Sequence, residues 1–135
     1  MIELPPAIGG ASAWYGPDVV NRADWIEPLS PAELAEIQLA ARRLSQAEID
    51  WQAASPDAFS LPRLEGRLSR VLNEVLEGRG FALLRGLPVE RWGRRLSAVA
   101  FLGLGLHWGS LRSQNRYGHL LGHAGVCLRA DFPGD

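Results

Sequence analysis

The chain of 135 residues contains no lysine and no threonine, and all fourteen of its basic residues are arginine. Coding bias in a GC-rich genome accounts for that pattern without a functional cause. A single cysteine, Cys127, excludes an intramolecular disulfide and a thiolate cluster for zinc, so a reducing, cytoplasmic setting is expected. There is no surplus of either charge: the formal net charge is −1, which gives no electrostatic reason to expect nucleic acid or an anionic membrane as a partner. Long apolar runs are also missing. The most hydrophobic stretch, "LSAVAFLGLGLHWGSL", falls short of the ~20 residues a membrane span needs and is broken by glycine, and "MIELPPAIGG" lacks the basic start and apolar core of a secretory signal. The sequence carries no G-x-S-x-G elbow, phosphate-binding loop or dinucleotide fingerprint.

What is present is ordinary globular material, 47% apolar and 21% charged, enough for one domain with a core. The first two dozen residues show no steady period and predict an irregular arm, anchored by Trp14, Tyr15 and Trp25. A helix start then stands out in "LSPAELAEIQLAARRLSQAEIDW". Ser30 can cap, Pro31 suits the first helical position and Glu33 completes a capping box. Leu34, Ile37, Ala41 and Leu44 repeat at three- and four-residue steps and predict one buried face. A second amphipathic helix is predicted in "RLEGRLSRVLNEVLEGRG". Leu64, Leu68, Val71, Leu72, Val75 and Leu76 line one side, while Arg67, Arg70, Asn73, Glu74 and Glu77 point away, and Gly78 or Gly80 ends it.

The run Phe81 to Arg85 between glycines is too short for a helix and predicts a buried strand, which Pro88 prevents from continuing. A third helix is predicted from about Glu90 through Leu106, leaving solvent at its charged start and entering a core at its apolar end. Gly103 and Gly105 weaken it by ~1 kcal/mol each relative to alanine, so close packing against a neighbour is expected there. Short strands are expected around Leu111 and Leu120, separated by "RSQNRYG".

The segments "RGFALLRGLPVERW" and "FLGLGLHWGSLRSQNRYGHLLGH", in that order and spacing, resemble the amino-terminal part of the TauD/TfdA family of Fe(II)/2-oxoglutarate-dependent dioxygenases. The residues that carry the resemblance are Gly80, Phe81, Arg85 and Gly86, then Gly103, Gly105 and Gly109, then Gln114 and Asn115, within a similarity spanning about residues 14 to 123. The resemblance implies an α+β fold in which a helical amino-terminal part leads into the first strands of a truncated double-stranded β-helix, or jelly roll. Residues 1–123 then form the amino-terminal part of a TauD/TfdA-like domain and 124–135 an off-pattern tail. It also implies, for a complete domain, hydroxylation of a small organic substrate coupled to decarboxylation of 2-oxoglutarate, at an iron held by a His-X-Asp/Glu pair and a later His. Sulfonates, carnitine precursors and chlorinated aryloxy acids all fall within the family's substrates.

This sequence departs from the pattern at the metal. Its histidines are His107, His119 and His123, followed two positions on by Gly109, Leu121 and Gly125, so no His-X-Asp/Glu exists and neither a catalytic, a cofactor-binding nor a metal-ligating residue is expected. His119 and His123 lie four apart in a glycine-flanked stretch. If extended, they sit ~13 Å apart along the strand, too far to share an ion, and structural or surface roles are favoured for them.

The expectation is a fragment of a truncated or frameshifted gene, inactive alone and without bound Fe(II) or 2-oxoglutarate, whose partner is a missing or separately encoded catalytic half. The alternative is a small non-catalytic protein-interaction module. Gln114 and Asn115 are the substrate-pocket candidates, with a turn held by local side-chain bonds as the other reading. Arg85 marks a strand's exit to solvent or pairs with a carboxylate, and the pairs Arg42–Arg43 and Arg94–Arg95 read as solvated helix faces.

Overall fold

A computed structural model describes residues 4–122 of the chain. Its elements run α1 (Gly16–Val19), β1 (Ile26–Pro28), α2 (Pro31–Ser45), a 3₁₀ turn (Pro56–Phe59), α3 (Glu65–Glu77), β2 (Leu83–Arg85) and α4 (Val89–Leu106). The architecture is mixed α and β, with the two short strands paired in parallel.

Helix α2 begins where local chemistry dictates. Ser30 Oγ accepts from Glu33 N–H at 3.2 Å, Glu33 Oε2 accepts from Ser30 N–H at 2.8 Å, and Pro31 leads the helix. Ser30→Ala removes one of these bonds and is expected to lower stability by about 1 kcal/mol, read as a drop in urea midpoint at unchanged slope. Ile37, Ala41 and Leu44 are buried as the periodicity predicts, joined by Ala40, while Leu34 is only partly covered. Arg42 and Arg43 are exposed in the last turn, where the helix dipole favours cations.

The core forms where α2, the 3₁₀ turn, the residues leading into α3 and the second half of α4 meet: Ile37, Phe59, Leu61, Leu64, Leu68, Ala100, Leu104 and Leu106 are its centre. Gly103 packs against Phe59 so closely that a β-carbon there would lie 2.4 Å from the ring. The glycine therefore exchanges helix propensity for contact, as expected. Gly93, at φ 76° and ψ 170°, breaks the first turn of α4 from the rest, a conformation accessible essentially to glycine alone.

Several expectations require correction. The irregular arm contains a one-turn helix and leads directly into Ile26–Pro28, the partner strand of β2. Trp14 and Trp25 do anchor it, their rings 4.9 and 5.8 Å from that of Phe81, but the Tyr15 ring is exposed. Strand β2 is shorter than Phe81–Arg85 and not fully buried: Leu84 is half-buried and Leu83 is 40% exposed. Its short partner and the helices cover only part of it. Val75 and Leu76 at the far end of α3, and Phe101 on α4, face solvent because no described element packs over them.

Gly78 is not left-handed, although a β-carbon there would strike Glu74; Gly80 supplies the positive φ. The segments around Leu111 and Leu120 form no strand. Finally, Arg67 and Arg70 are not merely solvated. They close over β1, a relation that helical periodicity alone could not reveal.

Candidate functional site

The end of α4 and the chain beyond it enclose a groove of about 730 Å³. Phe101, Leu102 and Gly105 come from the helix, Trp108 from the turn after it, and Leu111, Leu120 and Leu121 from the irregular segment that follows. Trp108 is held in place by its indole N–H, which donates to the Leu68 carbonyl at 3.1 Å. Polar groups reach this apolar surface from Ser110, Arg112 and Gln114.

Gln114 and Asn115, the two pocket candidates, occupy different roles in the structure. Gln114 lines the groove, and its side-chain N–H donates to the Arg112 carbonyl at 2.9 Å. Asn115 does not line it. Its Oδ1 accepts from the N–H groups of Tyr117 (3.0 Å) and His119 (3.1 Å), organising a turn that Gly118 completes at φ 81° and that the Gln114 N–H···O=C His119 bond of 2.7 Å closes. Because Oδ1 is committed to donors, Asn115 Nδ2 donates to His119 Nδ1 at 2.9 Å.

The histidines are dispersed among structural tasks. His107 Nε2 lies 2.7 Å from the Phe59 carbonyl, which can only accept, so that nitrogen carries the hydrogen. His119 belongs to the Asn115 turn, and His123, like the 124–135 tail, lies outside the described residues. Among the described residues no three His, Cys, Asp or Glu side chains are grouped to hold a metal ion. With no His-X-Asp/Glu in the sequence, the residues present do not fit an Fe(II) facial site.

The most concentrated charge lies elsewhere. Glu27, 8% exposed, accepts from Arg67 Nε at 3.0 Å and from the Arg70 guanidinium at 3.0 Å, while Arg67 also reaches Glu33 at 2.8 Å and the Pro28 carbonyl at 2.8 Å. The hydrogen bond from Arg70 does most to hold the Glu27 carboxyl below its ordinary value, with Arg67 adding to it against the opposing effect of burial. For Glu33, burial pushes upward, but the Ser30 N–H and Arg67 outweigh it and its carboxyl is also lowered. This cluster ties α3 to β1 and to the start of α2. Sequence reasoning missed it because Glu27 sits in a segment without a readable period.

No family model matches the chain. A taurine hydroxylase-like protein of Stachybotrys chartarum is 28% identical over 111 residues, covering 82% of this chain and 29% of that protein. The FR-33289 synthase of Streptomyces rubellomurinus is 29% identical over 119 residues, covering 87% of this chain and 35% of that protein. The chain is a partial TauD-like relative. The chain spans about a third of the length of the curated relatives it matches.

In the structure, "GFALLRGL" contributes β2 and the turn at Gly86, and "GLGLHWG" the end of α4 that walls the groove. Arg85 is exposed, as are Arg94 and Arg95. None of the described α-helices is long and apolar enough to cross a membrane.

Proposed function

We propose that this TauD-like chain is the amino-terminal part of an Fe(II)- and 2-oxoglutarate-dependent dioxygenase domain of jelly-roll architecture, an oxidoreductase that hydroxylates a small organic substrate. The observation that carries the reading is the similarity over 82–87% of the chain to two much longer proteins, of which it covers 29% and 35%, one of them named taurine hydroxylase-like. In this reading the chain contributes one wall of the substrate groove, with Trp108 and Leu111 as apolar surface and Gln114 as a polar contact. Asn115 acts on the groove indirectly, by shaping the turn that follows Gln114.

The iron and 2-oxoglutarate would be held by residues that this chain does not contain, so the chain by itself is expected to be inactive and to act with a separately encoded or downstream catalytic half. Resequencing the genomic locus several hundred bases past codon 135, with translation in all three frames, tests this. A His-X-Asp/Glu pair followed by a later His, and by the Arg that in the family clamps the far carboxylate of 2-oxoglutarate, is the expected finding, and its absence from every frame would remove the reading.

The exposure of Leu76 and Phe101, at 69% and 62%, favours a second reading as a non-catalytic interaction module. A locus in which no frame past codon 135 encodes a His-X-Asp/Glu pair would favour that reading.

A further inference from the structure

Beside the groove lies a second space. Val71, Leu72 and Val75 of α3, with Ala82 and Leu84 in and just before β2, surround a cavity of about 250 Å³. The two spaces draw on different elements: α4 and the segment after it build the groove, while α3 and β2 build the cavity. Trp108 is the one described residue that lines both.

Trp108 is fixed between them at two points. Its backbone N–H donates to the Gly105 carbonyl at 3.0 Å, extending the last turn of α4, and its indole N–H donates to the Leu68 carbonyl at 3.1 Å, on the turn of α3 that leads to Val71 and Leu72. Swinging the indole aside would break the second bond and strip a half-buried donor of its partner, which is costly. The side chain is therefore a standing wall and not a gate.

The two spaces also differ in chemistry. Arg112 is the only charged side chain among the described residues that line the groove, and Ser110 and Gln114 add polar groups there. The cavity has no polar side chain except the indole N–H, which Leu68 already occupies. A polar group or a water would find no partner in it, so only an apolar group is at home beyond Trp108.

We propose that Trp108 sets the length of the apolar substituent that the groove accepts, by closing the groove off from the apolar cavity between α3 and β2. The inference rests on the reading of the groove as a substrate wall. Because the dividing side chain and both its anchors belong to this chain, the division does not depend on which segment covers the outer sides of the two spaces.

The test is an NMR titration of the isotope-labelled full chain with linear saturated carboxylates of increasing length, whose charge suits Arg112 and whose tails suit the apolar side of the groove. Affinity is expected to rise with each methylene until the tail meets Trp108, and then to level off. In Trp108→Ala the rise should continue into longer members, by about fourfold for each further methylene buried. Trp108→Leu, a milder truncation, should move the limit the same way by less, and circular dichroism checks that both variants fold. Adding Ala82→Leu to Trp108→Ala refills the cavity and should restore the earlier limit. Ala82→Leu alone should leave the native series unchanged, whatever the stability of the Trp108 variants. A native limit shifted by Ala82→Leu would mean that the two spaces already communicate and would overturn the proposal, as would one limit shared by the native chain and a folded Trp108 variant. Those outcomes leave the groove standing as a ligand site, whereas a native chain that binds no member of the series removes the groove reading and the proposal with it.

Discussion

Replacing Phe59 with alanine is expected to destabilise the chain by about 3–5 kcal/mol, the range for truncating a buried aromatic side chain. Phe59 has no exposed surface, and its ring meets α4 at Gly103. The same geometry makes a sharper test possible. Gly103→Ala in the native background drives a β-carbon to within 2.4 Å of that ring and should cost about 1–3 kcal/mol through overpacking. In the Phe59→Ala background the obstacle is gone, and the same change should be neutral or stabilising by up to about 1 kcal/mol, because alanine favours helix over glycine. Urea denaturation of the four proteins completes the cycle. A coupling energy near zero would mean that Phe59 and Gly103 do not pack as described.

The second large effect concerns Glu27. Breaking a fully buried ion pair from one side costs about 3–5 kcal/mol. Arg70 is 61% exposed, so its share is screened and Glu27→Gln is expected to cost less, about 2–3 kcal/mol. The pH dependence follows from the lowered carboxyl. In the unfolded chain Glu27 titrates near its ordinary 4.5, and in the folded chain it titrates lower, chiefly because Arg70 and Arg67 bind the carboxylate. Its stabilisation is therefore fully present above about pH 4.5 and is lost as pH falls through the folded value, where both states are protonated. Glu33 contributes in the same direction. The urea midpoint of the native chain should fall below about pH 4.5, and Glu27→Gln should flatten that fall without abolishing it. An unchanged slope in the variant would show that the Glu27 contacts contribute no stability in solution.

The helices were legible in the sequence to different depths. For α2, the Ser30–Pro31–Glu33 signature and the apolar spacing both recur in the structure, because capping and one-face burial act over a single turn or two. For α3 the same spacing placed Leu64, Leu68 and Val71 in or beside the core but extended the buried face to Leu76, where the structure has solvent. Periodicity states which residues share a face and is silent on how far a neighbour covers it. β1 had no local signal at all. A three-residue Ile-Glu-Pro strand with its glutamate inward contradicts the expected alternation, and it exists because β2 and two arginines of α3 meet it from distant sequence.

The candidate groove divides in the same way. That Gln114 and Asn115 sit in a polar turn between apolar segments was visible from residue types, and so was the choice between pocket and turn. The distribution of the two roles was not: Asn115 holds the turn while Gln114 borders the groove, a result of where Trp108, Leu120 and Leu121 converge.

Residue order alone thus accounts for the existence of the three long helices, the capped start of α2 and which residues share a face, and for the absence of a His-X-Asp/Glu pair, because each depends on groups a few positions apart. Which strand pairs with which, the enclosure of Glu27 by Arg67 and Arg70 and the seating of Gly103 against Phe59 depend on segments brought together from far along the chain. Contacts of that kind have no local periodicity to announce them, and they arise only when the chain closes on its core.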